Sequence, residues 1–218
     1  LLYNTKIAKE ANPKAVLPKA NFIYPQDAKA QIEEATKFCL ERLGTAPQGM
    51  WPSEEAVSEH ILPFIIQAGI NWIVTDEAIL FKSLKKKRRD TRLLYQPHLL
   101  KRKDGNLNII FRDRVLSDLI SFVYHSWRTE DAVGDLMKHL GNIAHAFSAA
   151  GGSAFGGKDK DILVTIAMDG ENAWEYYPGD GHGFLNSLYQ RLSDSKLIKT
   201  VTVSEYLKVH PAKEKIKY

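Results

Sequence analysis

The 218-residue chain is 44% hydrophobic, carries a formal net charge of +4 and contains one cysteine. That apolar content supports a sizeable core and excludes an intrinsically disordered chain, while a lone Cys39, read as a core residue of a helix, excludes an internal disulfide framework and fits a cytoplasmic address. No signal-peptide pattern is present, and the most apolar region, residues 61–74, is broken by Pro63, Gln67, Gly69 and Asn71, so no membrane span is expected.

The positive charge is local. Ten of the 30 Lys and Arg residues lie in "FKSLKKKRRDTRLLYQPHLLKRKDG" (81–105) beside only Asp90 and Asp104, and setting this stretch aside leaves 20 basic against 24 acidic residues. The stretch reads as a mobile, solvated surface excursion, and no nucleic-acid partner is expected.

In chain order, Ile32, Ala35, Phe38, Cys39 and Leu43 recur at helical spacing from Pro25, and Gly44 supplies a stop. A short strand should end at Met50-Trp51, followed by a helix over 53–68 with a kink at Pro63 and a strand over 70–75. After the basic excursion the pattern predicts a strand over 108–111, amphipathic helices over 116–127 and 130–149, a strand over 162–168, a helix over 184–192 and a strand over 198–203. Strands alternating with helices predict an α/β fold, a parallel βα repeat with right-handed crossovers. The glycine-rich "AAGGSAFGGKDKD" reads as a loop. Residues Gly152 to Lys158 fit a phosphate-loop pattern, but Asp159 stands where a magnesium-binding Ser or Thr is required, and the order is helix to strand rather than strand to helix.

The predicted strands empty into acidic residues: "MWPSEE" into Glu54 and Glu55, "IVTDE" into Asp76 and Glu77, "IIFRD" into Arg112 and Asp113, "IAMDGE" into Asp169 and Glu171. In a parallel sheet these exits share the carboxyl-terminal face, where α/β folds place active sites. Taken singly, each acid reads as a helix N-cap or as the partner of Arg112 or Arg114; taken together, they point to a site. Acid clusters serve either a divalent metal or a catalytic carboxylate pair. None of the seven histidines adjoins an acidic exit, which argues against zinc, and neither a metal nor a cofactor is expected. Glycoside hydrolysis needs one ionised and one protonated carboxyl, and Trp51, Trp174, Tyr176 and Tyr177 beside these acids could be sugar platforms or core.

The stretches "GMWPSEEAVSEHILPFIIQAGINWIVTDEAIL", "IIFRDRVLSDLISFVYHSW" and "MDGENAWEYY" resemble glycoside hydrolase family 57, in particular its amylase and amylopullulanase-like members, from about Phe22 to Leu207. The resemblance implies a retaining enzyme acting on α-glucans and a distorted barrel of seven parallel strands. It puts the catalytic nucleophile on Glu54, three residues after Trp51, and the acid/base on Asp169 at the start of the D-G-E segment. Glu171 would orient Asp169 or bind sugar hydroxyls, Trp174 would shape the pocket, and Asp76, Glu77, Arg112 and Asp113 would support or bind the sugar. Glu55 would point elsewhere as a helix first-turn charge. Family members carry a histidine motif on an earlier strand and a helical region beyond the barrel, so residues 1–218 are expected to be one partial catalytic domain with an incomplete barrel. The alternatives are an α-glucan transglycosylase, such as a branching enzyme or 4-α-glucanotransferase, a carbohydrate-binding fragment without turnover, or a metal-dependent polysaccharide deacetylase. Oligomeric state is not legible.

Overall fold

Burial of short apolar strands against amphipathic helices organises the chain, and in the computed structural model residues 4–149, 161–171, 174–212 and 214–216 are described. They divide into two packed units, one formed by Leu1–Thr75, His98–Ile110 and Ala212–Tyr218, the other by Asp76–Pro97 and Phe111–Pro211.

The first unit holds most of a five-stranded sheet. Helix α1 (Thr5–Ala11) is capped by the Asn4 side chain, and α2 (Pro25–Leu43) starts on a proline and stops at Gly44, whose φ of 70° is left-handed, as the sequence predicts. The predicted apolar stripe of α2 is little used: Ile32 is buried and Cys39 half-buried, while Ala35, Phe38 and Leu43 are exposed; Ala28, outside the stripe, is buried as well. Strand β1 (Gly49–Met50) pairs in parallel with β2 (Trp72–Asp76). The helix expected over 53–68 is not continuous. Residues Ser53–Glu55 form a 3₁₀ turn, and α3 (Leu62–Gln67) carries Pro63 in its first turn, because a proline fits there better than in the middle of a helix.

The basic stretch is more ordered than its composition suggests. Helices α4 (Glu77–Ser83) and α5 (Thr91–Leu94) lie within it or enter it, and β3 (His98–Arg102) forms an antiparallel hairpin with β4 (Gly105–Arg112). Leu94, Tyr95, His98 and Leu100 are buried, so the expectation of a mobile excursion over 82–103 is corrected: apolar anchors pin the chain. Strand β5 (Glu214–Lys215) pairs in parallel with β3. The sheet order is β1-β2-β4-β3-β5, so the sheet is mixed rather than all-parallel as expected and, among the described residues, open.

The second unit is mainly helical. After α6 (Arg114–Asp118) the chain passes through a π-helical turn, Leu119–Val123, and a 3₁₀ turn, Tyr124–Ser126, in place of the single helix expected over 116–127. Helices α7 (Thr129–Ala149) and α8 (His182–Asp194) follow the predicted spans closely. Ile120, Tyr124, Val133, Leu136, Phe184 and Leu188 form their shared core.

Neither predicted strand in this unit joins the sheet. Residues 162–168 are held at alternate positions by single bonds: Leu163 N–H donates to the Tyr95 carbonyl (3.0 Å), Asp113 N–H to the Thr165 carbonyl (2.8 Å), and Ala167 N–H to Ser117 Oγ (3.2 Å). Val164, Ile166 and Met168 pack on the aromatic core. The β-branched run at 198–203 yields to a capping box, in which Thr202 Oγ1 accepts from Glu205 N–H (3.2 Å) and Glu205 Oε2 accepts from Thr202 N–H (2.9 Å), starting α9 (Val203–Val209). The glycine-rich loop expected at 149–161, with its phosphate-loop-like pattern, falls almost wholly outside the described residues.

One close approach fixes the edge of the sheet. Gly49 pairs with Trp72, and a Cβ added to it would lie 2.1 Å from indole Cε2. The indole lies where a side chain would stand, so Gly49→Ala should cost about 1–3 kcal/mol through overpacking. A lower midpoint in urea unfolding checks this; an unchanged midpoint would mean that Trp72 swings aside freely.

Candidate active site

The segment carrying Glu54 leaves β1 through Trp51, which is half-buried, and Pro52, which is buried. Both glutamates then adopt left-handed backbone, Glu54 at φ 55° and Glu55 at φ 56°. Non-glycine residues in this region cost on the order of 1 kcal/mol each and persist only where their surroundings over-determine them. Here Glu55 N–H bonds to the Pro52 carbonyl (2.8 Å), Ala56 N–H bonds to the Ser53 carbonyl (3.0 Å), and the buried Thr75 hydroxyl at the end of β2 donates to the Glu55 carbonyl (2.6 Å). The turn sends Glu54 to solvent and Glu55 inward to 9% exposure. Glu55 stands in the first turn of this 3₁₀ helix, where it is buried while Glu54 is exposed.

At the start of the second unit, Asp76, Glu77, Arg112 and Asp113 come together, as the sequence grouped them. The charges are interlocked. Asp76 Oδ1 caps α4 by accepting from Ala78 N–H (2.8 Å), and its carboxylate also receives Arg114, with Nε at 2.9 Å and Nη2 in close contact, and Arg112 Nε at 3.3 Å. Asp113, 2% exposed, caps α6 through Leu116 N–H (3.0 Å) and accepts the Tyr95 hydroxyl (2.6 Å) and Arg89 Nη2 (2.9 Å). Arg89 also grips Glu77 with two bonds, 2.8 and 2.9 Å. The helix-cap and ion-pair roles considered for single acids therefore hold for Asp76 and Asp113 together with the clustering.

Arg89 and Tyr95 were missed in the sequence because both lie in the stretch read as solvated. The available signal was stoichiometric: buried carboxylates need cations, and Arg112 and Arg114 are too few for Asp76, Glu77 and Asp113. Burial raises the Tyr95 phenol well above its ordinary range, and the adjoining Asp113 carboxylate adds to the shift, so Tyr95 stays a proton donor to Asp113.

In the third segment Asp169 and Glu171 are exposed, and Trp174 is half-buried. Trp174 packs edge-on to Tyr177 (5.4 Å between ring centroids) and near Phe184 (6.0 Å), so it is part of the helical core. Tyr177 is buried as well, its hydroxyl donating to the Ile120 carbonyl at 2.5 Å and its pKa pushed up to about 12 by burial. Tyr176 is the open ring of this segment, 73% exposed beside His125. Among the described residues no three His, Cys, Asp or Glu side chains form a group able to hold a metal ion, and no helix is long and apolar enough to cross a membrane.

The sequence pattern of glycosyl hydrolase family 57 matches residues 15–218. The chain belongs to that family. Alpha-amylase 1 of Dictyoglomus thermophilum is 30% identical over 187 residues, which cover 84% of this chain and 24% of that protein. The family 57 chain thus spans about a quarter of this relative's length. Its fold is similar to that of the family 57-type branching enzyme from Pyrococcus horikoshii (TM-score 0.68, 15% identity, 87% of this chain and 43% of that one). It is also similar to 4-alpha-glucanotransferase from Thermococcus litoralis (0.64, 18%, 88% and 27%) and to an alpha-amylase from Thermotoga maritima (0.63, 14%, 89% and 47%). These likenesses support an α/β fold with a mixed sheet.

The Asp76 cluster makes a pH prediction. Burial alone would raise the Asp76 pKa, but hydrogen bonds from Arg114 and Ala78 N–H and the charges of Arg114 and Arg112 overrule it and hold the carboxyl below its ordinary value of 3.8. A depressed folded-state pKa contributes stability that is complete above 3.8 and is lost as pH falls through the lower folded value. Urea unfolding across this acid range should show a shallower loss for Asp76→Asn, which can still cap α4, than for the native chain. Equal slopes would remove the contribution assigned to Asp76.

Proposed function

We propose that this family 57 chain carries the catalytic carboxylates of a retaining glycoside hydrolase acting on α-glucans, with Glu54 as nucleophile and Asp169 as acid/base. The observation that carries the reading is the left-handed turn after β1, which spends backbone strain to present Glu54 to solvent while burying its neighbour.

The Glu54 carboxylate attacks the anomeric carbon, and the glycosidic C–O bond breaks as Asp169 gives its proton to the leaving oxygen. Asp169, now ionised, takes a proton from water, whose oxygen attacks the same carbon and releases Glu54. Glu171 orients Asp169 or binds hydroxyls, and Trp51 flanks the nucleophile. Trp174 shapes the pocket from the core, leaving Tyr176 as the sugar platform of its segment. Asp76, Glu77, Arg112 and Asp113, locked to one another and to Arg89 and Arg114, support the pocket wall. Residues 1–218 are part of one catalytic domain, placed in the cytoplasm on the strength of the single cysteine.

Transglycosylation is the second reading, favoured by the likeness to a branching enzyme and a 4-alpha-glucanotransferase. Product analysis separates it, because new reducing ends accumulate steadily only under hydrolysis; binding of glucan with neither product would leave a non-catalytic module.

In the active full chain, Glu54→Ala should nearly abolish turnover on every substrate. Asp169→Ala should lose about 10² to 10⁴ in rate on natural glucans and far less on substrates whose leaving group needs no proton. Azide should rescue Asp169→Ala with an α-glycosyl azide product and Glu54→Ala with a β product. Exchanged anomers would exchange the roles, and full activity in both variants would remove the pair from catalysis.

A further inference from the structure

The basic run left over from the acid cluster builds a feature of its own. A cleft of about 240 Å³ beside α4 is lined by Glu77, Phe81, Lys82, Lys86, Lys87, Arg88, Arg89 and Arg114, with Ala78 in its floor. Its acid is engaged, since Glu77 is held by two bonds from Arg89, whose charge it shares with Asp113, and Arg114 is committed to Asp76. Lys82, Lys86, Lys87 and Arg88 form no ion pair with any described residue, and all four are exposed. Part of their repulsion is offset by the negative end of α4, worth roughly half a charge, and part by Asp90, whose carboxylate interacts with Lys86 while hydrogen-bonded to Arg92.

The backbone is also bent to bring them there. Helix α4 ends in a Schellman turn, Lys86 N–H bonding to the Phe81 carbonyl (2.8 Å) and Lys85 N–H to the Lys82 carbonyl (3.0 Å), with Lys85 in the left-handed position at φ 53°. Glycine is the ordinary residue there, and lysine is strained by about 1 kcal/mol. The turn folds the basic run back over Glu77, where Arg89 anchors it.

We propose that this cleft is a binding site for a small anion bearing phosphate. The volume lies under the roughly 300 Å³ at which clefts for drug-sized ligands begin, which suits a phosphate or pyrophosphate group with little else enclosed. Arg88 supplies a fork matched to phosphate oxygens, and the lysines supply mobile point charges. A nucleic-acid strand would need a long basic track with aromatic platforms, whereas of the ten basic residues in 81–105 this cleft gathers Lys82, Lys86, Lys87, Arg88 and Arg89, with a half-buried Phe81 as its one aromatic. Inorganic pyrophosphate and a hexose phosphate share the required group, and the test separates them.

Isothermal titration of the full chain at low salt with pyrophosphate, with a hexose 6-phosphate and with a short DNA duplex reads the site. Saturable binding of pyrophosphate or the hexose phosphate is expected, the tighter of the two naming the source. Lys86→Ala combined with Arg88→Ala should weaken it about tenfold or more, while Lys29→Ala on α2 leaves it unchanged and thermal melting confirms that the variants fold. Absence of saturable binding, binding that the double variant leaves intact, or tighter DNA binding that pyrophosphate does not displace would each overturn the proposal.

Discussion

The bond from Arg89 to the buried carboxylate of Asp113 is the constraint on which much of the second unit depends. Asp113 follows β4 and caps α6, and at 2% exposure its carboxylate is satisfied by a guanidinium, a phenol and a helix N–H that all point at it. Removing Arg89 would strand the Asp113 carboxylate, which is buried, without its cation, even where the intact pair adds little net stability. Arg89 also holds Glu77, the first residue of α4, so one side chain fixes the entry into two helices. Tyr95 passes the constraint on, its hydroxyl bonding to Asp113 and its carbonyl to Leu163.

Local backbone signals were legible where they did not compete. Helix α2 runs from its proline to its glycine as the sequence predicts, and α7 and α8 follow their apolar periodicity. Failures came where one signal masked another. In 98–102 the lysine and arginine residues hid an alternation of buried His98 and Leu100 with outward neighbours, so β3 was lost in a charge count. At 198–203 β-branched residues suggested a strand while Thr202 and Glu205 spelled a helix start, and hydrogen bonds to orphan backbone donors won.

The candidate site was legible in kind rather than in arrangement. Acidic exits from strands were visible, and Asp76, Glu77, Arg112 and Asp113 do meet; the distant cations that make their burial possible were not visible, because tertiary pairing leaves no periodic trace. The left-handed pair Glu54-Glu55 was equally hidden. No propensity favours φ near 55° for glutamate, and the conformation follows from Thr75, twenty residues downstream, bonding the Glu55 carbonyl. Aromatic roles were split by context, with Trp174 and Tyr177 drawn into the core and Tyr176 left outside.

The extended segment that ends at Asp169 also bears on dynamics. Its bonds run to Tyr95, Asp113, Ser117 and, from Tyr206, to the Asp161 carbonyl (2.8 Å), rather than to a neighbouring strand. Detaching such a segment breaks a handful of separate bonds and uncovers the apolar side chains at 164, 166 and 168, yet unzips no ladder. Its opening is therefore a sub-global event with a free energy of its own, and Asp169 rides on an element whose position can be adjusted on the timescale of local unfolding while β1 to β5 remain paired.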